Sequence, residues 1–289
     1  MNTRVTRGML LAAAAALALT GAACGSDDDN GGGGGGAQAD QPSRLAIGLS
    51  GSGKNARFEV PKSVPGGVAT IEFTNSTGKM ASAQLGYADG GHTGQEALAA
   101  AGAWAEQGKP LPPWAHTAGG TGRVEPGATA TVTQDLPPGE YFVLDLEAQG
   151  RDETAGFFKV SGAGDAQLPE PASRVDAFEY RFEASGLKAG ANRVLFDNKG
   201  KEPHFLEAAP IAPGKTIADV KRFLRTEKGQ PPIDFERSLS TPVIDGGLRQ
   251  VVELELDSGK YALLCFVPDR KGGPPHAVKG MISEATVGG

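Results

Sequence analysis

Cysteine is almost missing from this 289-residue sequence: Cys24 and Cys265 are the only two, too few for a disulfide framework. Histidine is nearly as rare, with four in all and no two of them near each other. That scarcity leaves no basis for a hydrolase triad. Positive charge is in deficit, with 28 Lys and Arg against 34 Asp and Glu, so nucleic acid is not an expected partner. Long apolar runs are lacking too, and the one from Met9 to Leu19 is too short to span a bilayer. A completed phosphate loop is also absent. Gly48-Leu-Ser-Gly-Ser-Gly53-Lys54 is followed by Asn55 where Ser or Thr is required, and Arg57 to Pro61 reads as a strand where a helix should begin. No nucleotide is expected.

At the N-terminus, residues 1–23 read as a secretory signal: Arg4 and Arg7, then the apolar run, then the small residues Gly21-Ala-Ala. Cys24 follows directly, and the segment resembles a bacterial lipoprotein lipobox. The resemblance implies lipid attached to Cys24 and a protein anchored to the outer face of the cell membrane without spanning it. Residues 24–43 are rich in Asp and Gly, with six glycines in a row, and read as a flexible tether. Removing the signal leaves 26 basic and 34 acidic residues, a net charge of −8. With Cys24 acylated, Cys265 becomes a lone exported thiol that needs burial, a metal or an outside partner.

About 245 residues remain from Arg44, enough for two small sandwiches, and they contain an internal repeat. Ile71-Glu-Phe-Thr-Asn75 matches Val194-Leu-Phe-Asp-Asn198. Thr93-Gly-Gln-Glu96 and Thr216-Ile-Ala-Asp219 both carry a helix-start signal. Each copy then has an alternating strand, Ala128 to Gln134 and Val251 to Asp257, and each turns through Gly-x-Tyr at Gly139 to Tyr141 and Gly259 to Tyr261. Each ends on a short apolar strand, Gly156 to Val160 and Gly280 to Val287. Two copies of this length mean a duplicated domain, with copies at 44–162 and 174–289 and a boundary near the Ala-, Gly- and Pro-rich Gly162 to Ser173. Short strands between Gly/Pro turns predict antiparallel sandwiches. An immunoglobulin-type sandwich would want paired inter-sheet cysteines and a core Trp, which the second copy lacks. Trp104 and Trp114 read as packing residues of the first copy's helix-loop insertion, and His92 and His116 as surface residues of Gly-rich loops.

The chemistry gathers in Tyr261-Ala-Leu-Leu-Cys265-Phe-Val-Pro-Asp-Arg-Lys-Gly-Gly-Pro-Pro-His276-Ala-Val-Lys-Gly-Met281. A buried strand delivers a cysteine, a Gly/Pro loop follows, then a histidine, then a methionine. Thiolate, imidazole and thioether at the rim of β-structure suit a copper site that exchanges one electron. In this half of the chain only His204 can supply a second imidazole. Here the sequence resembles the cupredoxin (blue, type 1 copper) family and its plastocyanin-like branch. The resemblance implies an all-β fold of two tandem Greek-key β-sandwich domains, each with an inserted helix. It also implies one copper ion held by His204, Cys265, His276 and Met281 in the second. Two features depart from the pattern. Ten residues separate Cys265 from His276 where the family has a few, and Phe205 stands where plastocyanin-like proteins place an Asn that steadies the copper-bound sulfur.

The repeat supplies an internal control. Ala81 stands in the first copy where His204 stands in the second, and Asp145 where Cys265 stands. The second copy keeps the whole ligand set and the first has none of it, so the first reads as a structural or partner-binding module. Multicopper oxidases and copper nitrite reductases need more histidines than this chain has. No catalysis on a substrate is expected. The expected function is electron transfer or copper handling with a redox or copper-exchange protein as partner. The alternative is a metal-free scaffold or adhesion lipoprotein whose 268–276 loop meets a partner.

Overall fold

The computed structural model describes residues 41–148 and 154–288. The signal, Cys24 and nearly all of the tether read from the sequence lie outside the described residues. The first copy contains β1 (Ser43–Ser50), β2 (Arg57–Glu59), β3 (Ser63–Pro65), β4 (Gly67–Ser76), β5 (Ala81–Ala88) and α1 (Gly94–Gln107). It continues with β6 (Ala115–Val124), β7 (Thr129–Leu136), β8 (Gly139–Leu144) and β9 (Ala155–Ser161). The second contains β10 (Ser173–Phe178), β11 (Arg181–Ser185), β12 (Gly190–Asn198), β13 (Glu207–Pro210) and α2 (Ile217–Thr226). It closes with β14 (Leu239–Ser240), β15 (Arg249–Leu256), β16 (Gly259–Leu264) and β17 (Ile282–Val287).

Each copy is two packed layers. In the first, the half-sheet β7-β4-β1-β2 faces the sheet β3-β9-β8-β5-β6; in the second, β11-β10-β12-β15 faces β14-β13-β16-β17. Alternation drives this packing. In β1, Leu45, Ile47 and Leu49 are buried while their neighbours are not, and Ile71 and Phe73 of β4 join them in the first core. Val175, Ala177, Phe196, Leu254 and Tyr261 occupy the same role in the second. Both copies pair their first strand parallel to the strand that ends on the repeat's Asn75 or Asn198 turn, β1 with β4 and β10 with β12. Both helices begin with a reciprocal capping box, Thr93 with Glu96 and Thr216 with Asp219.

The sandwiches are not independent bodies. β7 and β15 would each be an exposed edge of its half-sheet, and they pair antiparallel through Gln134 with Gln250 and Thr133 with Val251. The half-sheets thereby fuse into one sheet of eight strands. This removes two edges that would otherwise offer unpaired backbone groups to other chains. The described residues from Gln41 onward belong to one compact unit.

Candidate metal centre

Four local devices bring the sequence-selected residues to one end of the second sandwich. After β12, Asn198 closes the turn 199–203: its side-chain amide donates to the Glu202 carbonyl at 2.9 Å and to the Ile244 carbonyl at 3.0 Å. His204 then pairs with Ile244 through two backbone bonds of 2.9 Å each. Cys265 is the first residue beyond β16 and packs on the same side as Tyr261 and Leu263, in the main core of the second sandwich, whereas Ala262 and Leu264 pack in another cluster. The long stretch from Cys265 to His276 does not separate them, because the loop is clipped at its base. The His276 N–H donates to the Val267 carbonyl at 2.9 Å, and the Ala277 N–H to the Cys265 carbonyl at 2.7 Å. The Met281 N–H in turn donates to the His276 carbonyl at 2.9 Å.

His204, Cys265, His276 and Met281 are all fully buried. The two Nδ1 atoms are 3.0 Å apart, and Cys265 Sγ lies 3.8 Å from that of His204 and 3.5 Å from that of His276. A point equidistant from the corners of a triangle with these sides is about 2.0 Å from each, close to ordinary metal–nitrogen and metal–sulfur lengths. Met281 belongs to the same buried apolar cluster as Cys265. Tyr180 meets the His276 ring edge-on at 5.5 Å.

The proton arrangement also fits a cation. His276 Nε2 is 3.0 Å from Asp269 Oδ1, so an N–H there donates to the carboxylate and leaves Nδ1 bare. His204 Nε2 is buried without a protein partner. If that nitrogen carries the proton, two bare lone pairs confront each other at 3.0 Å beside the sulfur. A positive ion between them relieves that repulsion. Gly200 makes room for the ring, since a Cβ there would lie 3.1 Å from His204 Nε2 and 2.7 Å from Glu179 Oε1.

Burial pushes His204 down to about 4, helped by the neighbouring His276 and opposed by Glu179. Burial also lowers His276, against the pull of Asp269. Both imidazoles are therefore neutral and able to ligate at pH 7. Cys265 is pushed up to about 12 by burial, although the backbone N–H groups of Phe205 and Val267 point at its sulfur and pull the other way. In the metal-free protein it is a thiol, and a metal has to displace that proton. For Asp269, burial is outweighed by the hydrogen bonds from Lys279 and Tyr180, which hold the carboxyl below its ordinary range.

No family model matches the chain, and no curated protein matches it. Solved structures that do match include a dithionite-reduced auracyanin from the photosynthetic bacterium Roseiflexus castenholzii. It is 18% identical with a TM-score of 0.27, the match covering 39% of this chain and 94% of auracyanin. A multicopper oxidase matches at 14% identity and a TM-score of 0.23 over 84% of this chain and 87% of its own. A copper-containing nitrite reductase from Thermus scotoductus matches at 11% identity and a TM-score of 0.22, over 84% of this chain and 61% of its own. Likeness at this level assigns no activity. The strand pairing itself gives an all-β fold of two packed sandwiches.

Strand register supports the internal control. Gln84 of β5 pairs with Leu144 of β8, and Glu207 of β13 pairs with Leu264 of β16. Three residues before Gln84 and Glu207 stand Ala81 and His204; one residue after Leu144 and Leu264 stand Asp145 and Cys265. The same backbone donor serves both copies. The Ser82 N–H donates to Asp145 Oδ1 at 2.8 Å, as the Phe205 N–H points at Cys265 Sγ.

One expectation needs correction. His116 is not a surface residue of a loop. It lies in β6 with Nδ1 2.7 Å from Asp245 Oδ2, Nε2 3.2 Å from Asp89 Oδ2, and its ring stacked on Tyr87 at 4.5 Å. It was unreadable because its partners come from the other copy and from a distant turn. The 268–276 loop contacts the first copy of the same chain, through residues whose spacing gives no sign of it. Among the described residues, His204, Cys265 and His276 are the one converging group of three such ligand atoms.

Proposed function

We propose that this protein would hold one copper ion in its second sandwich, with His204, Cys265 and His276 as the three strong donors and Met281 as a weak one. The convergence of two Nδ1 atoms and one Sγ within 3.8 Å of one another, fully buried, carries the reading. Two imidazoles, a thiolate and a thioether are a donor set that would suit copper better than zinc, which prefers four strong ligands. Copper in such a set accepts and releases one electron. The chain's own part is to keep the donors fixed and dry, so that a change of charge meets little rearrangement. On this reading the protein carries electrons or hands copper on to a protein partner, and does not catalyse a reaction on a substrate.

Purified protein given one equivalent of Cu(II) is expected to develop an intense visible thiolate-to-copper band and to keep its copper through desalting. No band and no retained copper would favour a metal-free scaffold. We also propose that Cys24 carries lipid and holds the protein on the outer face of a bacterial cell membrane, on the strength of the lipobox-like Gly21-Ala-Ala-Cys24 and the tether after it. Cys24→Ala is expected to move the protein from the membrane fraction to the soluble exported one; continued membrane association would reject the anchor.

A further inference from the structure

The first sandwich has no ligand at its own Ala81 and Asp145, yet its helix-loop insertion reaches the loop that carries His276. The Trp104 indole N–H, on the buried face of α1, donates to the Asp269 carbonyl oxygen at 2.7 Å. One residue on, the Leu111 N–H donates to the Arg270 carbonyl at 2.6 Å. The Arg270 guanidinium returns the contact, donating to the Pro112 carbonyl at 2.8 Å and the Ala115 carbonyl at 2.6 Å. Gly272, at φ 80°, lies so close to this segment that a Cβ would come within 2.4 Å of the Gly108 oxygen. Val267 packs against both the second core and the Trp104 cluster.

We propose that Trp104, together with the backbone of Leu111, Pro112 and Ala115, is a positioning element for His276, acting through Asp269. The proposal rests on the metal reading above and gives the ligand-free copy its task. Asp269 carries the link. Its backbone oxygen is held by Trp104, while its carboxylate accepts from His276 Nε2 at 3.0 Å and from the Tyr180 hydroxyl at 3.0 Å, and pairs with Lys279. Ten residues between Cys265 and His276 are more than a clipped turn orders by itself, and each flexible residue costs entropy to fix. Bonds from a rigid neighbour supply that order in advance. With Asp269 in place, the His276 proton stays on Nε2 and Nδ1 faces the other donors. Such outer partners are commonly worth 10- to 100-fold in metal affinity.

The test is Trp104→Phe in the full chain, which keeps an aromatic ring and deletes only the indole donor. Trp114→Phe is the control, because Trp114 stacks on His92 at 3.9 Å and has no bond to the loop. Two readouts are taken: the rate at which a disulfide reagent labels the buried Cys265 thiol in metal-free protein, and the rate of Cu(II) release together with its electron paramagnetic resonance spectrum. Trp104→Phe is expected to label and to lose copper about 10-fold faster, with an altered copper spectrum, while Trp114→Phe matches the wild type. Gly272→Ala, whose added carbon must push the loop off the first sandwich, is expected to reproduce the effect if Trp104→Phe fails to fold. Wild-type labelling and release in both variants, or equal acceleration in Trp114→Phe, overturns the proposal. A wild type that takes no copper, with labelling still faster in Trp104→Phe, sinks the copper reading and leaves the first sandwich as the element that orders the loop.

Discussion

Cys265→Ser is expected to abolish the visible band outright and to lower Cu(II) affinity by more than about 100-fold, near 2.8 kcal/mol, beyond what outer-shell changes cost. The reason is chemical: a hydroxyl ionises far less readily than a thiol and is a harder, weaker donor toward copper. The fold should survive. Cys265 is fully buried, and the Phe205 and Val267 N–H groups that point at its sulfur can donate to a serine oxygen. Circular dichroism and unfolding of the metal-free variant should therefore stay close to wild type while the copper titration collapses. A Cys265→Ser protein that retained the band would place the chromophore elsewhere.

Arg270→Met should give the largest loss of stability, about 3 kcal/mol, the lower end of what breaking a buried ion pair costs. Asp245 is largely buried, and its Oδ2 is shared by Arg270 at 2.6 Å and His116 Nδ1 at 2.7 Å. Removing the guanidinium leaves that carboxylate in the interior with a single partner. It also deletes the bonds to the Pro112 and Ala115 carbonyls. Urea unfolding should show an earlier midpoint at an unchanged slope. Adding Asp245→Asn should recover much of the loss, because the damage comes from a stranded charge more than from lost packing. A loss below about 1 kcal/mol would mean that water reaches Asp245 as soon as Arg270 is gone.

Much of the centre was legible in the residues. Cys265, His276 and Met281 lie on one stretch, and the turn after Asn198 delivers His204 through contacts within a few residues, apart from the bonds that Asn198 and His204 make with Ile244. The repeat was legible for the same reason: capping boxes, the Gly-x-Tyr turn and strand alternation are local, and each copy spells them out. The long 268–276 loop was harder. Its length departs from the family's short spacing, and the Val267–His276 and Cys265–Ala277 bonds that close its base cannot be read from the residues.

By itself the amino-acid order determined two copies of one strand-and-helix pattern, with His204, Cys265 and His276 in one and no counterparts to them in the other. Those features follow from side-chain periodicity and from residue types at short spacings. Only the tertiary structure decided that β7 and β15 fuse the half-sheets into one, that His116 joins Asp245, and that Trp104 holds Asp269. These contacts join residues more than a hundred positions apart, each through a bond or two. Their geometry exists only once both cores have packed and set the two copies against each other.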